Sequence, residues 1–124
     1  MRLEVNMVVS SAREASDYYK NLLKAEILSI TDQNQGMNET MMKIGETEIR
    51  VLDENKELGM FAPAKVGGGS VWMNIWVDDI NKYFDHVIRE GGHVISPVQE
   101  FPGAAKNAVF SDKFNHVWIV NQKY

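Results

Sequence analysis

The stretch SVWMNIWVDD, residues 70–79, decides the fold of this chain, because it alternates strictly as a β-strand and then leads into a helix. One face of the strand is apolar: Val71, Met73, Ile75 and Val77. The opposite face is mixed: Trp72, Asn74 and Trp76. A half-buried strand ordinarily turns polar residues toward water on its second face, so two tryptophans there need another neighbour. Asp78 or Asp79 then caps a helix.

A helix and three further strands are predicted after this stretch. The apolar stripe of the helix has i, i+3, i+4 spacing and precedes two glycines: Ile80, Tyr83, Phe84, Val87 and Ile88. Strand character then returns in three segments: HVISPVQ (93–99), KNAVFSD (106–112) and HVWIVNQ (116–122). The second half of the chain is therefore predicted to be a βαβββ module.

The first half of the chain has the same order of elements. LEVNMVV (3–9) alternates as a strand, and a helix follows in which Ser11 and Glu14 have capping-box spacing. Three strand segments come next: AEILSIT (25–31), ETMMKIG (39–45) and TEIRVLDE (47–54). Aligning Val9 with Val77 superposes the two strand-to-helix junctions at an offset of 68 residues, the mark of an internal repeat. The predicted fold class is α+β, with curved sheets that form a cup and helices on their outer face.

The length of 124 residues favours a single domain with a core large enough to need no disulfide or metal scaffold. Within it, we place module 1 at about 1–56, a connector at 57–69 and module 2 at about 70–124. The connector contains Pro63 and three consecutive glycines, which are typical of a loop between structured segments.

Composition excludes several function classes. The formal net charge is −4 and the 13 basic residues are scattered, which argues against a nucleic-acid partner. The chain has no cysteine, so thiol catalysis and thiolate metal sites are excluded. No apolar run is long enough to span a bilayer, and the first residues are too polar for a signal peptide. We therefore expect a cytoplasmic protein with neither a membrane nor a nucleic acid as partner.

A ligand pocket is predicted on the mixed faces of the strands. The apolar face of each first strand is expected to pack against the helix of its own module, so the mixed face must point away from that helix. Alternation gives these mixed faces from the first and last strand of each module: Glu4, Asn6 and Val8; Glu48, Arg50 and Leu52; Trp72, Asn74 and Trp76; Val117, Ile119 and Asn121. Bulky apolar groups with a few polar ones are typical of a small-molecule pocket.

These residues and several motifs resemble the vicinal-oxygen-chelate superfamily, which includes glyoxalase I, bleomycin-resistance proteins, fosfomycin-resistance enzymes and extradiol dioxygenases. The matching motifs are VDDI (77–80) with REGG (89–92), DYYKNLLKAE (17–26), IGETEIRVLDE (44–54) and SDKFNHVWIVNQ (111–122). The last two are most similar to the PhnB-like branch. The resemblance covers nearly the whole chain and implies paired βαβββ modules with ligand sites in the cups, assembled as a homodimer. Asn115 departs from the glycine usual in that branch.

The resemblance also identifies where a metal would bind. Metal-dependent members place their ligands at the first and last strands of each module, which here correspond to four positions: Glu4, Arg50, Trp72 and Ile119. Only Glu4 can ligate a metal, whereas a transition-metal site needs about three or more His or carboxylate ligands. The cation of Arg50 would repel the ion. We therefore expect no metal and no cofactor.

The resulting functional hypothesis is a metal-independent protein of the PhnB-like branch that binds a small organic ligand, similar in kind to drug-sequestering bleomycin-resistance proteins. The pocket residues would be Glu4, Asn6, Arg50, Trp72, Asn74, Trp76, Phe101 and Ile119. The alternative is a metal-dependent lyase, isomerase or dioxygenase with ligands elsewhere. A third hypothesis is a cofactor-free enzyme with Glu4 as general base, which would require burial to make the Glu4 carboxylate more basic although the cation of Arg50 opposes this. Whether any reaction is catalysed stays open, and no catalytic residue is assigned.

Each candidate residue also has a plain structural alternative. Glu4 and Arg50 either orient a ligand or only neutralise each other inside a vestigial site. Trp72 and Trp76 either stack on a flat or cationic ligand or fill the cup themselves. Phe101 is either a lid side chain or a core or dimer contact. None of the three histidines has the spacing of a metal motif or a triad partner.

Overall fold

The computed structural model describes residues 1–63, 69–100 and 105–123. Residue contacts divide the chain into two compact units, the first being Met1–Pro63. The first module contains β1 (Val5–Val9), α1 (Ala12–Leu23), β2 (Glu26–Ile30), β3 (Glu39–Ile44) and β4 (Thr47–Asp53), followed by a short 3-10 helix at Lys56–Leu58. The second contains β5 (Trp72–Trp76), α2 (Ile80–Arg89), β6 (His93–Glu100), β7 (Lys106–Ser111) and β8 (Val117–Gln122). The predicted α+β class with two tandem βαβββ modules is confirmed.

The two sheets have the same topology. Sheet 1 has the strand order β1-β4-β3-β2 and sheet 2 has the order β5-β8-β7-β6. In each sheet the first strand runs parallel to the last and the other pairs are antiparallel. The register pairs Asn6 with Arg50 in sheet 1 and Asn74 with Ile119 in sheet 2. Because paired residues point to the same face of a sheet, this register fixes which side chains are neighbours.

Each module buries one face of its sheet against its own helix. In the first module, fully buried side chains of α1 include Tyr19 and Leu22, and those of the sheet include Met42 and Val51. In the second, Phe84 of α2 meets Phe110 edge-on, and Phe110 stacks on Trp118 with ring centroids 6.5 Å apart. Trp118 Nε1 donates a hydrogen bond to the buried Asp112 carboxylate over 2.9 Å. Trp118 is thus a core residue, unlike the tryptophans of β5.

The repeat extends to the way each helix is attached. Asp53, at the end of β4, accepts a 2.7 Å hydrogen bond from the N–H of Ala12, the first residue of α1. Gln122, at the end of β8, accepts a 2.7 Å bond from the N–H of Ile80, the first residue of α2. These bonds satisfy N–H groups that a helix start leaves without an intrahelical partner. The last strand of each module therefore positions the start of the helix.

Three apolar residues predicted to face the helices lie near water instead. Ile88 is 51% exposed because it is in the last turn of α2, and Val71 is exposed because it precedes β5. Val5 is also exposed, at the start of edge strand β1. The predicted connector begins with ordered structure, since a bridge between Asn55 and Met60 closes around the 3-10 helix. Among the described helices, none has the length and apolar character that crossing a membrane requires.

Candidate functional site

The candidate site residues that belong to described strands lie on the face of each sheet that is turned away from the module's own helix, here called the distal face. On sheet 1 it carries side chains from β1, β3 and β4: Asn6, Val8, Glu39, Met41, Lys43, Glu48, Arg50 and Leu52. On sheet 2 it carries side chains from β5, β7 and β8: Trp72, Asn74, Trp76, Asn107, Val109, Ser111, Val117, Ile119 and Asn121. The parity predicted from the sequence matches this register.

The distal face of sheet 1 has a charged network centred on Arg50. The Arg50 guanidinium lies 3.9 Å from the Glu4 carboxylate and 4.0 Å from that of Glu39. Arg2 lies 3.1 Å from Glu4 and 3.6 Å from Glu48. Three carboxylates thus surround two guanidinium groups, which leaves the network with one excess negative charge.

Arg50 is loosely held within this network. Both of its ion pairs are longer than a hydrogen bond, and its Nε is buried with no hydrogen-bond partner among the described residues. Both partners of the Glu4–Arg50 pair are partly exposed: the Glu4 side chain is 41% exposed and that of Arg50 is 34% exposed. Exposed pairs contribute little to stability because water screens them. Arg50 is therefore only weakly held by its acidic neighbours, and about a third of its side chain is open to water.

The four positions that the resemblance identified as metal positions do not fit a divalent ion. Glu4 offers a carboxylate, but the Arg50 guanidinium lies beside it. Trp72 and Ile119, in the second module, have no lone pair suited to a metal. Within residues 1–63, 69–100 and 105–123 there is no group of three or more His, Asp or Glu side chains placed to hold a metal ion.

The distal face of sheet 2 presents two indole rings with an amide between them. Trp72 is 45% exposed and Trp76 is 58% exposed. The Asn121 side-chain amide donates to Asn74 Oδ1 over 3.1 Å and to the Ile75 carbonyl over 3.2 Å. The bond to the Ile75 carbonyl positions the Asn121 amide, and the bond to Oδ1 orients the Asn74 side chain. An aromatic surface with a fixed polar group is suited to a flat organic molecule.

A cavity of about 300 Å³ lies beside Trp76 and is lined by Trp76, Val77, Asp78, Gln122 and Lys123. The Lys123 ammonium lies 5.7 Å from the centroid of the Trp76 ring. The sequence analysis selected Trp76 as a pocket residue but none of the other four. Asp78 was considered there only as a helix cap. The sequence did predict β5 as the first strand of module 2 and β8 as its last. When two such strands pair in parallel, their carboxyl ends lie side by side, which would bring Asp78 near Lys123.

The remaining predicted site residues do not extend this set. Ile119 is half-buried on the distal face of sheet 2, beside Asn74, and Asn6 is exposed beside Arg50. Phe101 lies outside the described residues. A second cavity of about 430 Å³ lies among loop residues of the first module, between Gln35 and Glu57, and contains none of the predicted residues.

Three comparisons relate this chain to known proteins. The family model described as "Glyoxalase/Bleomycin resistance protein/Dioxygenase superfamily" matches residues 3–120. A protein of Mycobacterium bovis without an assigned function is 21% identical, with 97% of this chain and 82% of that protein covered. A Mycobacterium tuberculosis protein, likewise without an assigned function, is 21% identical, with 97% and 73% covered.

Solved structures of similar fold include two with named proteins. TioX from Micromonospora sp. ML1 has a TM-score of 0.70 and 16% identity, covering 100% of this chain and 97% of that chain. The E126Q mutant of the fosfomycin resistance protein FosX from Listeria monocytogenes, in complex with Mn(II) and 1S,2S-dihydroxypropylphosphonic acid, has a TM-score of 0.75 and 12% identity, covering 98% of this chain and 88% of that chain. At these identities the likeness is one of fold.

Proposed function

The chain belongs to the glyoxalase/bleomycin resistance protein/dioxygenase superfamily, and from this premise we propose that it binds a small organic molecule on its distal sheet faces without a metal ion. The observation that carries the proposal is the pair of exposed rings, Trp72 and Trp76, on either side of Asn74. Large aromatic side chains are costly to leave in water, and two indole rings on one face of a strand offer a stacking surface. The fixed amide gives a ligand a polar contact between them.

Metal independence is supported by the chemistry of the donor set. The position that should supply a second metal ligand in the first module is Arg50, a cation that pairs with Glu4. The corresponding positions in the second module, Trp72 and Ile119, are not metal ligands. We therefore propose a binding protein of the PhnB-like branch, supported by the motif SDKFNHVWIVNQ (111–122), and similar in kind to drug-sequestering bleomycin-resistance proteins.

Native mass spectrometry tests the proposal as a whole. We expect the purified protein to appear as a homodimer without bound metal, and with a small organic adduct when it is isolated under mild conditions. Addition of EDTA before the measurement should leave the spectrum unchanged. A dimer that carries one divalent metal per subunit would contradict the proposal and would support a metal-dependent lyase, isomerase or dioxygenase instead.

Substitution of Trp72 tests where the ligand binds. The flat probe 1-anilinonaphthalene-8-sulfonate should quench tryptophan emission, and Trp72→Ala should weaken its binding about threefold to tenfold because one stacking surface is lost. Trp72→Phe is the matched control, since it keeps an aromatic face and should retain most of the affinity. An unchanged dissociation constant for Trp72→Ala, measured by fluorescence titration, would place the ligand elsewhere.

A further inference from the structure

We propose that the cavity beside Trp76 is a site for an organic cation such as a quaternary ammonium group, and that Lys123 is the cation which such a ligand displaces. The inference names the ligand class for one end of the distal face of sheet 2. It rests on the proposed function, because it assumes that Trp76 faces a ligand. It adds Asp78 and Lys123 as residues that select the charge of that ligand.

The first argument is the position of the Lys123 ammonium over the Trp76 ring. The distance of 5.7 Å from nitrogen to ring centroid is within the range of a cation–π interaction. Tryptophan offers the strongest such surface among the aromatic side chains. Since the Trp76 residue is 58% exposed, Lys123 leaves much of it uncovered. The chain itself therefore shows that this ring accepts a positive charge.

The second argument is the counter-charge in the same cavity. Asp78 lines the cavity together with Trp76 and is exposed. Within the described residues, Asp78 forms neither a hydrogen bond nor an ion pair, and Lys123 forms no ion pair. An aromatic face attracts alkylammonium groups, and a neighbouring carboxylate adds the attraction of opposite charges. A bound cation would gain both contacts.

The third argument excludes an anion, which the nearby start of α2 would otherwise attract. Helix N-termini bind anions through N–H groups that lack an intrahelical partner. Here the N–H of Ile80 donates to Gln122 Oε1 over 2.7 Å, and the N–H of Lys82 donates to Asp79 Oδ1 over 3.1 Å. These donors are already used, and Asp78 and Asp79 would repel an anion. The site therefore favours a cation.

A matched pair of probes tests this inference on the full chain. Choline carries a quaternary ammonium group, and 3,3-dimethylbutan-1-ol has the same shape without the charge. The three tryptophans give three indole N–H signals in an NMR spectrum, and Trp76→Leu assigns the one that belongs to Trp76. We expect choline to shift that signal and to bind about threefold to thirtyfold more tightly than the alcohol.

Three variants separate the roles of the lining residues. Choline binding to the variants is measured by isothermal titration calorimetry, because Trp76→Leu lacks the indole signal of Trp76. Trp76→Leu should abolish choline binding and Asp78→Asn should weaken it, whereas Lys123→Gln should strengthen it severalfold because the competing ammonium is removed. Lys82→Gln is the control for the loss of one positive charge, since Lys82 is exposed on α2 and does not line the cavity. Weaker or unchanged binding in Lys123→Gln would overturn the displacement.

The outcomes also separate this inference from the proposed function. Equal affinity for choline and for the alcohol at Trp76 would overturn the preference for a cation and leave small-molecule binding intact. No shift of the Trp76 signal with either probe would overturn the site itself, while the anilinonaphthalenesulfonate titration at Trp72 continues to test the proposed function. If Trp72→Ala leaves the anilinonaphthalenesulfonate titration unchanged while choline shifts only the Trp76 signal, the proposed site at Trp72 is overturned and the cation site beside Trp76 is supported.

Discussion

Replacement of Asp53 by alanine is expected to lower the free energy of unfolding by about 3–5 kcal/mol. The Asp53 carboxylate is 2% exposed and accepts three backbone hydrogen bonds, from Ala12 over 2.7 Å and from Gly36 and Asn38 over 2.9 Å each. Alanine would leave these N–H groups without an acceptor. A buried donor without an acceptor destabilises the folded state by the full cost of its desolvation. The start of α1 and the loop before β3 would both lose their anchor.

Urea denaturation followed by circular dichroism measures this effect. Asp53→Asn is the conservative variant: it keeps one oxygen for Ala12 but turns an amide N–H₂ toward the other donors, so an intermediate loss is expected. Asp32→Ala is the matched control, because the Asp32 side chain is 90% exposed and its ion pair with Arg13 is 3.5 Å long; such a change should alter stability by less than about 0.5 kcal/mol. Equal midpoints for Asp53→Ala and Asp32→Ala would contradict the anchoring role.

Local patterns were sufficient to predict the modules and the faces of their strands. The period of two in β5 separated Trp72 and Trp76 from Met73 and Ile75, and the register confirms that separation. The offset of 68 residues between Val9 and Val77 superposed the two strand-to-helix junctions and thereby indicated the repeat. Both signals are patterns in the order of residues along the chain, which is why they can be read without a structure.

Contacts between distant segments could not be predicted in the same way. The link from Asp53 to Ala12 joins residues 41 positions apart, and the sequence showed only an acidic residue at the end of a strand. Arg50 gained Glu39 as a partner because β3 pairs with β4, and the alternation within one strand does not identify that neighbour. The approach of Lys123 to Trp76 likewise depends on the parallel pairing of β5 with β8. The chemistry of the site is set by these pairings.

Arg50→Glu is expected to convert the distal face of sheet 1 into a divalent-cation site that the unmodified chain lacks. The Arg50 guanidinium lies at nearly equal distances from the carboxylates of Glu4 and Glu39, 3.9 and 4.0 Å. A glutamate in its place would put three carboxylates near one point, and hard cations such as Mn²⁺ and Ca²⁺ bind such oxygen clusters. In the absence of metal, the variant should be less stable than the unmodified protein, because its three carboxylates repel one another.

Thermal unfolding with and without MnCl₂ measures the change. At a Mn²⁺ concentration one hundred times the dissociation constant, the variant should gain about 2.7 kcal/mol of stability, whereas the unmodified protein should gain none. Arg50→Gln is the control: it removes the cation without adding a carboxylate, so Glu4 and Glu39 alone should bind Mn²⁺ only weakly. If the unmodified protein is itself stabilised by Mn²⁺, Arg50 does not exclude a metal, and the chain is to be grouped with the metal-dependent enzymes of its superfamily.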